Sequence, residues 1–166
     1  MEIKFTPWRM HYIKSGDETK RLEGCVLCAI PAALPADDAA NLLLYRGQTC
    51  YVVLNLYPYN TAHLMVVPYE HTADFAGLAA ETTSELLRLS QRAVSVLQVE
   101  YQPQGFNMGM NLGRTAGAGI EEHLHMHIVP RWVGDSNFMP IVGGTKLIPE
   151  ELSQTYARLR KAWHMG

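Results

Sequence analysis

A chain of 166 residues, 48% hydrophobic and 18% charged, suits one globular domain on a scale of roughly 150 residues per domain and excludes wholesale disorder. A formal net charge of -2 with no Lys/Arg run argues against a nucleic-acid partner and leaves room for a small anionic ligand. No stretch reaches the roughly 20 apolar residues of a membrane span, the N-terminal residues lack an apolar signal core, and three cysteines are too few for a secreted disulfide framework. A cytoplasmic, reduced setting is therefore expected.

In chain order, residues 31–40 (PAALPADDAA) read as a loop. Tyr51–Leu56 (YVVLNL) and His63–Val67 (HLMVV) read as two strands of a hairpin, with turn residues Pro58–Asn60 between them and Pro68 as a stop. Thr83–Glu100 carries apolar residues near a 3.6-residue repeat, with Thr82, Thr83 and Ser84 as N-cap candidates and Pro103 after its end. Phe106–Leu112 alternates like a half-buried strand, and the glycine-rich run Gly113–Gly119 follows. A strand is expected over His123–Val129 and a second helix over Glu150–Trp163. This order predicts an α+β domain built on a mainly antiparallel sheet.

The sharpest local feature is HLHMHIV at His123–Val129. On a regular strand, residues two apart share a face and lie about 6.8 Å apart. His123, His125 and His127 would then line one surface, with Leu124, Met126 and Ile128 toward the core. A histidine-rich exposed strand or a metal tract has the same pattern. Imidazole titrates near neutrality and makes a nitrogen nucleophile that splits one displacement into two. Such a nucleophile needs an acceptor on its other ring nitrogen.

The triad resembles the H-φ-H-φ-H-φ-φ signature of the histidine-triad (HIT) superfamily, with φ apolar. Asn55 through Pro68 (NLYPYNTAHLMVVP) resembles the upstream hairpin of that family, and Asn111-Leu-Gly the start of its nucleotide loop. The likeness spans about residues 25–132 of a single domain taken as 1–166. It implies a HIT-like α+β fold, usually homodimeric, with His125 as the nucleophile at an α-phosphate and His127 bonded to the scissile phosphate or its bridging oxygen. It implies Asn55 at the ribose hydroxyls, Asn111 with Gly117, Gly119 and Ile120 at the phosphates, and His63 supporting the triad. Read locally, Asn55 also suits a turn, the glycines a flexible loop, and His63 a core histidine.

Cys25-Val-Leu-Cys28 has metal-ligand spacing, and a redox pair or chance spacing stays open on the residues alone. Some HIT members complete a zinc site with a histidine after the hairpin proline and the first triad histidine. The resemblance thus implies structural Zn2+ on Cys25, Cys28, His71 and His123, with no organic cofactor. Cys50 reads as a buried strand residue.

Many hydrolase branches carry Gln then Ser or Thr before the triad, whereas this chain has Gly119-Ile-Glu-Glu122. Residues 117–125 and 130–140 resemble instead the branch of diadenosine tetraphosphate phosphorylases or adenylyltransferase-like HIT proteins. The implied partners are a dinucleoside polyphosphate and inorganic phosphate, with release of ATP and formation of ADP. A HIT hydrolase, or a non-catalytic nucleotide-binding protein, is the alternative. By parity Glu121 reaches the site face and Glu122 the opposite one. Arg131 and Lys146 are candidates for distal phosphates or ordinary surface charges, and Trp132 for base stacking or packing.

Overall fold

The computed structural model describes residues 24–135, 142 and 148–165. Five strands form one antiparallel sheet: β1 (Leu43–Arg46), β2 (Cys50–Leu54), β3 (Leu64–Pro68), β4 (Gly105–Gly109) and β5 (Met126–Arg131), in the order β1-β2-β3-β5-β4. Among the described residues three α-helices accompany it: α1 (Val26–Ala32), α2 (Ala80–Tyr101) and α3 (Leu152–Met165). The expected α+β class is the class observed. Lys146 lies outside the described residues.

The expected hairpin is β2–β3, with Tyr51 opposite Val67 and Val53 opposite Met65. Every residue of both strands is buried, because both sheet faces are covered. Alternation assigns Val52, Leu54, Leu64 and Val66 to one face, where they meet Leu86, Leu89, Ala93 and Leu97 of α2 and Leu159 and Trp163 of α3. It assigns Tyr51, Val53, Met65 and Val67 to the other, where Leu27 of α1 packs. Continuous apolar runs such as YVVL are what a strand buried on both sides requires.

Several boundaries move. The run 31–40 is not all loop: α1 extends through Pro31 to Ala32, and a 3-10 turn occupies Pro35–Asp37. β1 has no counterpart among the expected elements. α2 begins at Ala80 after Ala79, which makes no side-chain cap, so Thr82, Thr83 and Ser84 are helical rather than caps. β4 stops at Gly109, short of Leu112, because pairing with β5 ends at Gly109 opposite His127.

The triad strand needs the largest correction. The β5 ladder starts at Met126 and runs through Pro130 to Arg131, so His123 and His125 precede it and strict alternation does not govern them. His123 turns to the cysteine cluster beside α1, while His125 and His127 face each other. Leu124 and Ile128 are buried as expected, and Met126 packs against the core.

Candidate active site and metal centre

The site lies on the sheet face opposite α2 and α3. His127 is paired with Met65 across β3–β5, and Met65 belongs to the apolar cluster under α1. His63, two residues before Met65, shares that parity. The structure brings His63, His125 and His127 together: ring centroids are 5.0 Å apart for His63–His127 and 4.8 Å for His125–His127.

Hydrogen bonds set the tautomers. His125 Nδ1–H donates to the carbonyl of His123 at 2.8 Å, leaving the lone pair on Nε2. Burial holds the His125 imidazole below its ordinary range, outweighing the opposing effect of that bond. Near neutral pH the ring is therefore an uncharged base with its nucleophilic nitrogen defined. His63 Nδ1 accepts the backbone N–H of Tyr59 at 3.1 Å, so its proton sits on Nε2 and donates to His127 Nδ1 at 2.9 Å. His127 in turn carries its proton on Nε2. The Tyr59 ring covers His63 and His127 with centroids at 4.7 and 5.5 Å. Composition gave no signal for Tyr59; its place four residues before His63 in a tight turn is the only one the sequence offers.

Asn55 sits in the β2–β3 loop. Its Oδ1 accepts the Tyr57 N–H at 3.0 Å and its Nδ2 donates to His63 Nδ1 at 3.3 Å. Asn111 Nδ2 reaches the Gly117 carbonyl at 3.5 Å. Gly113 and Gly117 take φ of +79° and +88°, a left-handed region that disfavours a side chain. They flank the 3-10 turn Arg114–Ala116. Gly119 makes no contact that excludes a Cβ. Ile120 packs against the cluster under α1. Glu121 pairs with exposed Arg114 at 3.3 Å. Arg131 is held by Asp135 at 2.7 Å and by Asn107, and the Trp132 indole donates to the Tyr101 carbonyl. Both are thus engaged in the fold.

Cys25, Cys28, His71 and His123 form the one metal-type cluster of the described residues, their ligand atoms all within 4.8 Å of one another. Cys25 and Cys28 bracket the first turn of α1, His71 follows β3, and His123 precedes β5. Sulfur–nitrogen separations are 3.3, 3.3 and 3.4 Å. Zinc bonds of about 2.3 Å to sulfur and 2.0 Å to nitrogen give tetrahedron edges of about 3.6 Å, so the set fits a closed Cys₂His₂ site. His123 uses Nδ1 toward this cluster while its Nε2–H donates to the Pro68 carbonyl at 2.9 Å, the outer-sphere acceptor such ligands need. Its main-chain carbonyl meanwhile holds His125. One residue thus joins the metal cluster to the candidate nucleophile.

The HIT domain family model matches residues 37–133. The chain belongs to the HIT family. It is 42% identical to an AP-4-A phosphorylase of Mycobacterium tuberculosis over 96% of this chain and 83% of that protein. Among solved structures it resembles a Zn-bound histidine triad family protein from Mycobacterium smegmatis, with TM-score 0.67, 24% identity and coverage of 86% of this chain and 95% of that one. A hypothetical histidine triad nucleotide-binding protein from Sulfolobus tokodaii gives TM-score 0.66 at 23% identity, covering 85% and 93%. These two likenesses concern the fold. No helix among the described residues is long and apolar enough to cross a membrane.

Proposed function

We propose that this HIT protein is a nucleotidyl-transfer enzyme that phosphorolyses diadenosine tetraphosphate to ATP and ADP. The observation that carries the reading is the fixed His125 tautomer, Nδ1–H on the His123 carbonyl and Nε2 as the nucleophile. The choice of reaction is supported by the 42% identity to an AP-4-A phosphorylase over nearly the whole chain.

In this mechanism His125 Nε2 attacks the α-phosphorus and the bond to the bridging oxygen breaks, releasing ATP. His127 Nε2–H hydrogen-bonds the departing oxygen. A phosphate oxygen then attacks the nucleotidyl-histidine, the electron pair of the P–N bond returns to Nε2, and ADP leaves. Asn55 lies by the ribose hydroxyls in this reading, and Asn111 with the Gly117–Ile120 segment by the phosphates, where backbone N–H groups are the donors. Zn2+ on Cys25, Cys28, His71 and His123 is structural. Residues 1–166 act as one domain in a cytoplasmic homodimer, whose stoichiometry sedimentation measures.

The test is incubation with diadenosine tetraphosphate, with and without inorganic phosphate, followed by separation of products. ATP plus ADP formed only with phosphate supports phosphorolysis, and ATP plus AMP in both conditions makes the enzyme a hydrolase. His125→Ala should lower turnover by roughly 10³-fold or more, as loss of a covalent nucleophile does, while nucleotide binding persists. Equal turnover by the variant would refute the assignment of His125.

A further inference from the structure

We propose that Arg114 is a specificity residue for the phosphate chain: its guanidinium, paired with Glu121, passes to the distal phosphates when the nucleotide binds. The inference rests on the nucleotidyl-transfer reading and adds the residue that distinguishes a long phosphate chain from a short one.

Arg114 opens the 3-10 turn Arg114–Ala116 in the connection between β4 and β5. That loop is folded back on itself. The Gly117 N–H donates to the Arg114 carbonyl at 2.9 Å, the Ala118 N–H to the Gly113 carbonyl at 3.4 Å, and Asn111 Nδ2 to the Gly117 carbonyl at 3.5 Å. The returning limb runs into the site. Ile120 packs against the apolar cluster that contains Met65, and Met65 is paired with His127 across β3–β5. Glu121 comes next, two residues before His123. Through Glu121 the Arg114 guanidinium is held at the rim of the face that carries His125 and His127.

The hold is weak. Arg114 Nη2 meets Glu121 Oε1 at 3.3 Å through a single contact, and the two side chains are 87% and 40% exposed. An exposed ion pair of this kind gains little over water. A guanidinium on a phosphate makes charge-assisted hydrogen bonds in a two-pronged geometry, among the strong ones. A polyphosphate at this rim therefore draws Arg114 away from Glu121.

The site needs such a cation. Glu121 and Glu122 are exposed carboxylates directly before the triad, and they oppose the approach of a multiply charged chain. The other cations among the described residues are committed elsewhere. Arg46 is bound to Asp38 and to two carbonyls, and Arg131 to Asp135. The rest stand on α2 and α3, across the sheet from the triad. With the α-phosphate at His125 Nε2 and the chain passing the Gly117–Ile120 segment, Arg114 takes the phosphates beyond it, the part that departs as ATP. An ester with one phosphate does not reach it.

The test measures kcat/KM for diadenosine tetraphosphate and for the 4-nitrophenyl ester of AMP, which share the adenylyl group and differ in the distal phosphates. Arg114→Gln should lower the tetraphosphate-to-ester ratio by about tenfold or more, chiefly through KM. An unchanged ratio overturns the proposal. So does a loss confined to the KM for inorganic phosphate, which puts the side chain at the acceptor instead. Glu121→Gln should raise the ratio in the wild-type background and by clearly less in Arg114→Gln, because Glu121 competes with the phosphates for that one cation. Equal gains in both backgrounds overturn the exchange of partners. If the wild type turns over neither substrate, the nucleotidyl-transfer reading falls, and titration calorimetry judges Arg114 alone. The preference for adenosine 5′-tetraphosphate over AMP should then shrink about tenfold or more in Arg114→Gln, and an equal preference in both proteins overturns the assignment.

Discussion

Glu85 shows how one side chain near the start of a helix can organise a turn in the sheet. Its carboxylate accepts the backbone N–H groups of Gln48 at 3.1 Å, Thr49 at 2.5 Å and Cys50 at 3.0 Å, and the Thr49 hydroxyl at 2.8 Å. These residues form the β1–β2 turn, and the approach is so close that a Cβ on Gly47 would lie 2.8 Å from a Glu85 oxygen and 2.6 Å from the Cys50 carbonyl. Burial by itself would raise the Glu85 pKa, but the hydrogen bonds from Thr49, Gln48 and Cys50 win and hold it below the ordinary value. A carboxyl with a depressed folded pKa stabilises above its unfolded pKa, and that contribution is lost as pH falls through the folded value. The stability advantage of the wild type over Glu85→Gln should therefore be present at about pH 7 and smaller at about pH 3, below the ordinary carboxylate range. Urea midpoints of both proteins at the two pH values measure it; an advantage that is unchanged in acid would contradict the assignment.

At the scale of elements, the most consequential piece is the shortest helix. α1 has seven residues, too few to persist by local propensity alone. It is held from outside. Tyr51 Oη–H donates to the Leu27 carbonyl at 2.6 Å, and Arg46 donates to the Pro31 and Ala33 carbonyls while pairing with Asp38. Leu27 fills the cluster beneath, and Cys25 and Cys28 meet His71 and His123. A bound ion would close this strap over the sheet face that carries the triad. Cys28→Ser should lower both the zinc content, measured by atomic emission, and the thermal midpoint. It should also lower turnover, because His123 supplies the carbonyl that orients His125. A variant that keeps full zinc occupancy would exclude Cys28 as a ligand.

α1 and β1 also mark where sequence reading stops. VLCAIPA contains Pro31 and no periodic stripe, and LLYR is four residues long; each depends on contacts with distant parts of the chain, so neither advertises itself locally. The β2–β3 hairpin and α2 were legible because their patterns are long and consistent with burial. The HLHMHIV motif announced the chemistry, but its local geometry was misjudged. Alternation was extended three residues beyond the ladder, which begins only at Met126. Asn55 had two sequence readings, and its observed contacts within the turn and with His63 depend on how the loop closes.

For the molecule as a whole, closure depends on α3. Trp163 is fully buried, packs 5.6 Å from the Tyr45 ring and lies under the Arg92 guanidinium at 5.2 Å, while Arg92 donates to the Trp163 carbonyl. Its indole Nε1 has no hydrogen-bond partner among the described residues. Trp163→Ala should therefore cost about 3–5 kcal/mol by removing a large buried ring. Trp163→Phe should cost clearly less, since no hydrogen bond is lost with the indole nitrogen. Chemical denaturation of the two variants distinguishes this from an indole that anchors through its N–H, for which the two losses would converge.

The same helix also completes an edge. Tyr156 Oη–H and the Arg160 guanidinium donate to the Leu43 and Leu44 carbonyls of β1, the outermost strand on that side of the sheet. During synthesis β1 emerges from the ribosome more than a hundred residues before these donors do. Throughout that interval the nascent sheet presents a margin with unclaimed main-chain acceptors and an unfilled apolar trough above it, which is the state in which strands from neighbouring chains adhere. The protein's most vulnerable moment thus falls before α3 is made, and a ribosome that stalls short of that helix leaves behind a sticky intermediate rather than a smaller working enzyme.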